Sequence, residues 1–142
     1  MSKPKSILAV IGIFALVWLY DRGGSFLRGP ANGDSPVRTV DQEYQSGQAA
    51  EGEGTVTRIL SDDNDGSRHQ RFILELSSGR TLLIAHNIDL APRVEGLRVG
   101  DSVAFKGVYE WNSQGGVIHW THVDPAGAHA VGWLRHRGHT YQ

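Results

Sequence analysis

The chain contains no cysteine, so it can form no disulfide, no thiolate zinc site and no cysteine nucleophile. It also lacks an excess of either charge: 14 Lys and Arg stand against 15 Asp and Glu, a formal net charge of −1. That balance argues against the strongly basic footprint of a protein built to hold long nucleic acids. Arg68, Arg71, Arg80, Arg93 and Arg98 leave a local basic strip open, beside the plainer reading of scattered solvated arginines. Paired-carboxylate, Ser-His-Asp and Walker-type signatures are absent as well. With 142 residues there is room for one compact domain and a tail.

One long apolar run is present. Lys3 and Lys5 precede Ser6 to Tyr20, and Asp21 and Arg22 close it. A basic flank before ~7–15 apolar residues is the layout of a secretory signal, and a spanning helix wants about 20. No Ala-x-Ala site follows, and Trp18 and Tyr20 stand where interfacial aromatics anchor a helix end. Residues 1–22 therefore read as a signal-anchor, with a cleaved signal peptide as the alternative. The lysines put the N-terminus in the cytoplasm. The expected location is thus the inner membrane, held through residues 6–20, with the domain in the periplasm, or secreted if the signal is cut.

Gly23, Gly24, Gly29, Pro30, Asn32, Gly33 and Asp34 make residues 23–34 a flexible linker. Ser35-Pro36 then resembles an N-cap with proline at the first helical position, and Val37, Val40 and Tyr44 give a short amphipathic helix stopped by Gly47. From Gly54 the period changes to two. Strands are expected from Thr55 to Leu60, Gln70 to Leu76, Thr81 to Asn87, after Gly100-Asp101, and from Val117 to Val123. Phe72, Leu74, Leu76, Val103, Phe105 and Tyr109 point inward on this reading, with Trp120 in the core. The connection through Pro92 and Gly96 is short and open to a helical turn. Residues 35–142 thus read as a mainly β, five-stranded OB-fold-like barrel, preceded by the two helices and followed by a short tail. An SH3-like barrel or a small open sandwich gives the same local signals.

Five of the seven histidines fall from His119 onward, and imidazoles both titrate near neutrality and ligate metals. Several strings here resemble the bacterial domain of unknown function family 3465. They are Asp62-Asp63-Asn64, Gly66-Ser67-Arg68-His69-Gln70-Arg71-Phe72 and Leu83-Ile84-Ala85-His86-Asn87-Ile88-Asp89. Gly100-Asp101, Gly115-Gly116-Val117, His119-Trp120-Thr121-His122, Asp124-Pro125, Gly132-Trp133 and Tyr141-Gln142 complete the resemblance, which covers roughly Ser35 to Gln142. It implies an extracytoplasmic one-domain protein and carries no catalytic residue across.

The candidate sites follow from strand alternation. Ser61 to Gly66 is a turn, because Ser61 and Phe72 stand where a calcium loop needs acids. His69 and Arg71 project together from the face opposite Phe72, where arginine's fork suits a phosphate or carboxylate. His86 is expected at a barrel mouth, with Asp89 either receiving its ring N–H or capping a turn. On a regular strand His119 and His122 face opposite ways, whereas His122 and Asp124 share a side. Zinc would need a third ligand from His86, His129 or His69, and no standard metal string supports it, so a divalent metal is the lesser expectation. His136 and His139, between arginines, read as a solvated basic end.

Two functions remain open. One is a binding module whose polar face, with Arg71, Asn87, Asp89 and His119, takes an anionic small molecule, an oligonucleotide, an oligosaccharide or a protein partner. The other is a phosphodiester hydrolase. There His69, His86 or His122 acts as base, Arg71 stabilises developing charge, and Asp89 or Asp124 orients an imidazole or holds a metal. Convergence of His69, His86, His122 and Asp124 on one cavity would favour the hydrolase.

Overall fold

A computed structural model of the chain describes residues 44–142. The apolar run, the linker, the domain boundaries at 22 and 34 and the helix expected after Ser35 lie outside the described residues. Within them the order is β1 (Gln48–Ile59), β2 (His69–Leu76), β3 (Thr81–Asn87), β4 (Ser102–Glu110), β5 (Val117–His119), β6 (Trp133–His136) and β7 (His139–Tyr141). No helix occurs among them, so the 88–101 connection is irregular throughout.

The strand order β1-β2-β3-β5-β4 closes on itself through a β1–β4 ladder, and β3 runs parallel to β5. This is the OB-type barrel. Closure is made by β1, whose 12 residues belong to two ladders in turn. Gln48 to Thr55 pairs with β4, while Gly54 to Ile59 pairs with β2, with a bulge between Val56 and Arg58. Gly54 is where the ladders overlap, and a Cβ there would come 2.7 Å from the Glu75 carbonyl oxygen. A bend this tight needs glycine and a bulge, which adds twist. The strand therefore starts at Gln48, ahead of the expected Thr55. Glu51-Gly52-Glu53-Gly54 has a loop's composition but pairs because β4 supplies the partner.

The alternation expected from sequence sets the core. Phe72, Leu74, Leu82, Ile84, Val103, Phe105 and Ile118 are fully enclosed, and Leu76 and Tyr109 nearly so. At about 1.5–3 kcal/mol for each large apolar side chain, this burial is the main force holding a domain that has no disulfide. One end of the barrel is closed by the 88–101 connection. Gln70 points inward and donates Nε2–H to the Val94 carbonyl (3.0 Å), while the Val94 N–H donates to Gln70 Oε1 (2.8 Å). That pair of bonds seats Val94 in the barrel end, where it is 1% exposed.

Two departures bear on the site. The last barrel strand ends at His119 instead of Val123, because Trp120 adopts a left-handed backbone with φ 54°. A regular strand would drive the indole into the barrel end. There Thr121, fully buried, turns in instead, and Trp120 lies half-buried outside the core where it was expected. The chain then loops through 120–132 and returns tightly. The Gly132 N–H donates to the His122 carbonyl (3.1 Å), and an added Cβ would strike the Trp120 carbonyl and lie 2.9 Å from that of Lys106.

The tail is the second departure. It packs onto the barrel as a β6–β7 hairpin, with β6 added to β4 and Leu134 buried. Arg137 and Gly138 both have positive φ (48° and 80°), the two-residue turn that matches strand twist. His139 is exposed as expected. His136 is not: it is 2% exposed and donates Nε2–H to Asp101 at 2.8 Å, so alternation in β6 turns it inward.

Candidate functional site

The register collects a polar set on one outer face. His69 opposes Asn87, Arg71 opposes Ala85, and the parallel β3–β5 ladder, which pairs Ile84 with Ile118, leaves His119 next in line on the side of Ala85. Directly paired residues share a face, so His69, Arg71, Asn87 and His119 surround the small Ala85. The patch is sheltered: His69, Ala85, Asn87 and His119 are each no more than 3% exposed, and Arg71 is half-buried. Sheltered polar groups must be hydrogen-bonded, and His69, Arg71 and Asn87 are. His69 Nδ1–H donates to the Ser67 carbonyl (2.8 Å) and Arg71 Nε–H to that of Ser61 (2.8 Å). Asn87 Oδ1 accepts the Asp89 N–H (2.9 Å). His119 Nε2 lies 3.7 Å from Glu110, and its ring leans on Trp120 at 4.8 Å.

The expected acid–base residues are placed differently. His86 is fully buried inside the barrel end, not at an open mouth. A carbonyl oxygen can only accept, so its Nε2–H donates to Pro92 (2.9 Å), and its Nδ1 accepts the Thr121 hydroxyl (2.8 Å). Both ring nitrogens are thus used by the fold. Burial, first, and the positive charge of His122, His69 and Arg93 push His86 down to about 4, against the opposing pull of the Pro92 carbonyl. His69 and His86 stand one position apart in the β2–β3 register, where alternation turns them to opposite faces of the sheet.

The aspartates serve elsewhere. Asp89, expected to bond His86 or to cap a turn, instead accepts the Arg68 N–H (2.8 Å) and Nε–H (2.7 Å). Those two bonds hold its carboxyl below the usual range. Asp124 resists ionisation through burial, yet the N–H groups of Ala126 and Ala128 outweigh this and lower it. It shapes the 120–132 loop, feeling the charges of His129 and His122 more weakly. His122 donates Nδ1–H to the Val123 carbonyl (2.9 Å) and meets His129 edge-on at 4.9 Å, while His129 stacks on Trp120 at 4.7 Å. Among the described residues no group of three or more His, Asp or Glu is placed to hold a metal ion. In the β1–β2 loop Asp62 pairs with Arg93, and the Asp63 carboxylate accepts the Asp65 N–H (3.0 Å), which is turn chemistry.

Gln70 and Thr121 are the barrel-end residues that sequence reasoning does not single out. Gln70 carries a signal, an amide at an inward-facing strand position. Thr121 carries none.

Fold and site together define a small OB-type barrel with a sheltered polar face on β2, β3 and β5. The chain belongs to the family described as protein of unknown function (DUF3465), whose model matches residues 25–142. No curated protein matches it. No helix among the described residues is long and apolar enough to cross a membrane.

Proposed function

We propose that this protein is a binding module: the half-buried Arg71 of its outer β2–β3–β5 face receives an anionic ligand or partner outside the inner membrane, on a tether supplied by residues 6–20. The observation that carries the reading is the gathering of His69, Arg71, Asn87 and His119 around Ala85 by strand register. OB barrels present ligands to this face, and arginine's fork matches phosphate, sulfate and carboxylate. The hydrolase reading draws less support. His86 spends both nitrogens on Pro92 and Thr121, and Asp89 and Asp124 are occupied by Arg68 and by backbone N–H groups. The tether rests on the Lys3 and Lys5 flank and the apolar run after it.

The test titrates the full chain in detergent micelles with a single-stranded oligonucleotide, a sulfated oligosaccharide and inorganic pyrophosphate, followed by tryptophan fluorescence. Arg71→Ala is expected to weaken the bound probe about tenfold, the worth of a charge-assisted hydrogen bond. Binding by none of the probes, or binding indifferent to both Arg71→Ala and Asn87→Ala, overturns the proposal. Shortening of a probe that disappears with His122→Ala would replace it with the hydrolase.

A further inference from the structure

His86 sits at a junction that the proposed binding face does not use. From β3 it reaches the 88–101 connection through Pro92 and the 120–132 loop through Thr121, and it is fully enclosed. Three segments, one of them distant in sequence, meet at one imidazole, with no water-facing edge through which a charge could be solvated. His122 from the loop, His69 from the far face of the sheet and Arg93 from the connection act on it electrostatically, all cationic when charged. Its neighbour across the strand pair, Gln70, is neutral and tied to Val94. Of the acids in the surrounding loops, Asp62 is committed to Arg93, Asp89 to Arg68 and Asp124 to the loop's own N–H groups, while Glu95 is exposed to solvent.

We infer that His86 is an acid-sensitive latch, whose protonation releases the 88–101 connection and the 120–132 loop from the barrel end. The lock requires the neutral ring, because only then does Nδ1 accept from Thr121 while Nε2 donates to Pro92. A second ring proton puts a charge into a fully enclosed site, where His122, His69 and Arg93 already disfavour it electrostatically. Released, the ring meets water and returns to its ordinary value of 6.5. The native ring, held down to about 4, binds fewer protons than the released one between those values. The lock is therefore complete above pH 6.5 and weakens as pH falls toward 4. Trp120, at φ 54°, stands at the start of the loop and gives it a strained backbone to relax on release.

Hydrogen exchange of the full chain in detergent micelles, corrected for intrinsic rates, tests this between about pH 7.5 and about pH 4. Amide protection in 88–101 and 120–132 is expected to fall by about 100-fold across the interval, roughly tenfold for each pH step below the free-ring value, while the β1–β4 ladder keeps its protection. His86→Gln, whose amide can donate to Pro92 and accept from Thr121, should flatten the response. Unchanged protection in the two segments, loss spread equally over every strand, or a response undiminished in His86→Gln overturns the inference. A histidine ring titration by NMR on the unaltered protein decides the matter should that variant misfold. A His86 midpoint near 4 supports the latch, and one near 6.5 sinks it.

Discussion

The two ends of the barrel solve the same problem, closing a cylinder around polar groups, with opposite chemistry. At one end Arg80 lies 4.9 Å from the Tyr44 ring centroid and 5.2 Å from that of Tyr109. It also donates to the Tyr109 hydroxyl at 2.8 Å, and the two tyrosine rings stack at 5.1 Å. At the other end His86 is fully enclosed between Pro92 and Thr121, and burial keeps it neutral. Arginine and tyrosine do not change charge anywhere near neutrality, whereas imidazole does. One end is a fixture at every ordinary pH; the other is a fixture only while its proton count stays low.

Substitutions can break or sharpen that contrast. The largest effect is expected from Tyr109→Ala, which removes an aromatic ring from the core and the stack from Tyr44. Chemical denaturation should show a loss of about 3–5 kcal/mol. Arg80→Met keeps the aliphatic stem and removes the charge between the rings. It should cost about 1–2 kcal/mol, by the same amount at pH 7.5 and at about pH 5. A loss that grows on acidification would erase the distinction between the ends. The smallest effect belongs to Arg68→Ala. Its pair with Asp89 is 58% and 39% exposed, so water and salt screen it, and a change under about 0.5 kcal/mol is expected in thermal unfolding.

Much of this architecture can be read from residue order alone, and the unreadable parts share a cause. Phe72, Leu74 and Leu76 announce their strand because alternation is a local property. The same holds for the pairing of His69 with Arg71 on the outer face. Glu51-Gly52-Glu53-Gly54 reads as loop because its partner, β4, lies some fifty residues away in sequence. Trp120 reads as a core residue because nothing local reveals that the barrel end has room for Thr121 and not for an indole. The arginines around His136 point it to solvent, while the bond to Asp101 that holds it inside is long-range. Of the candidate site, the outer polar face is legible, and the place of His86 is hidden for the same reason as that of Trp120. Its two partners come from segments with no periodic signal.

The doubly paired β1 has a consequence for the unfinished chain. β2 and β3 are joined by a short turn and can pair early, but the β1–β4 ladder closes a loop of roughly fifty residues and waits for β4. Until then Gln48 to Thr55 presents an open strand edge, the kind of surface on which nascent chains stick to one another. Its Glu-Gly-Glu-Gly core is about as poor an adhesive as a strand can offer: two like charges to repel a second copy, and two glycines that prefer not to be extended. The residues that disguise this strand as a loop are those that keep it solitary until its proper partner arrives.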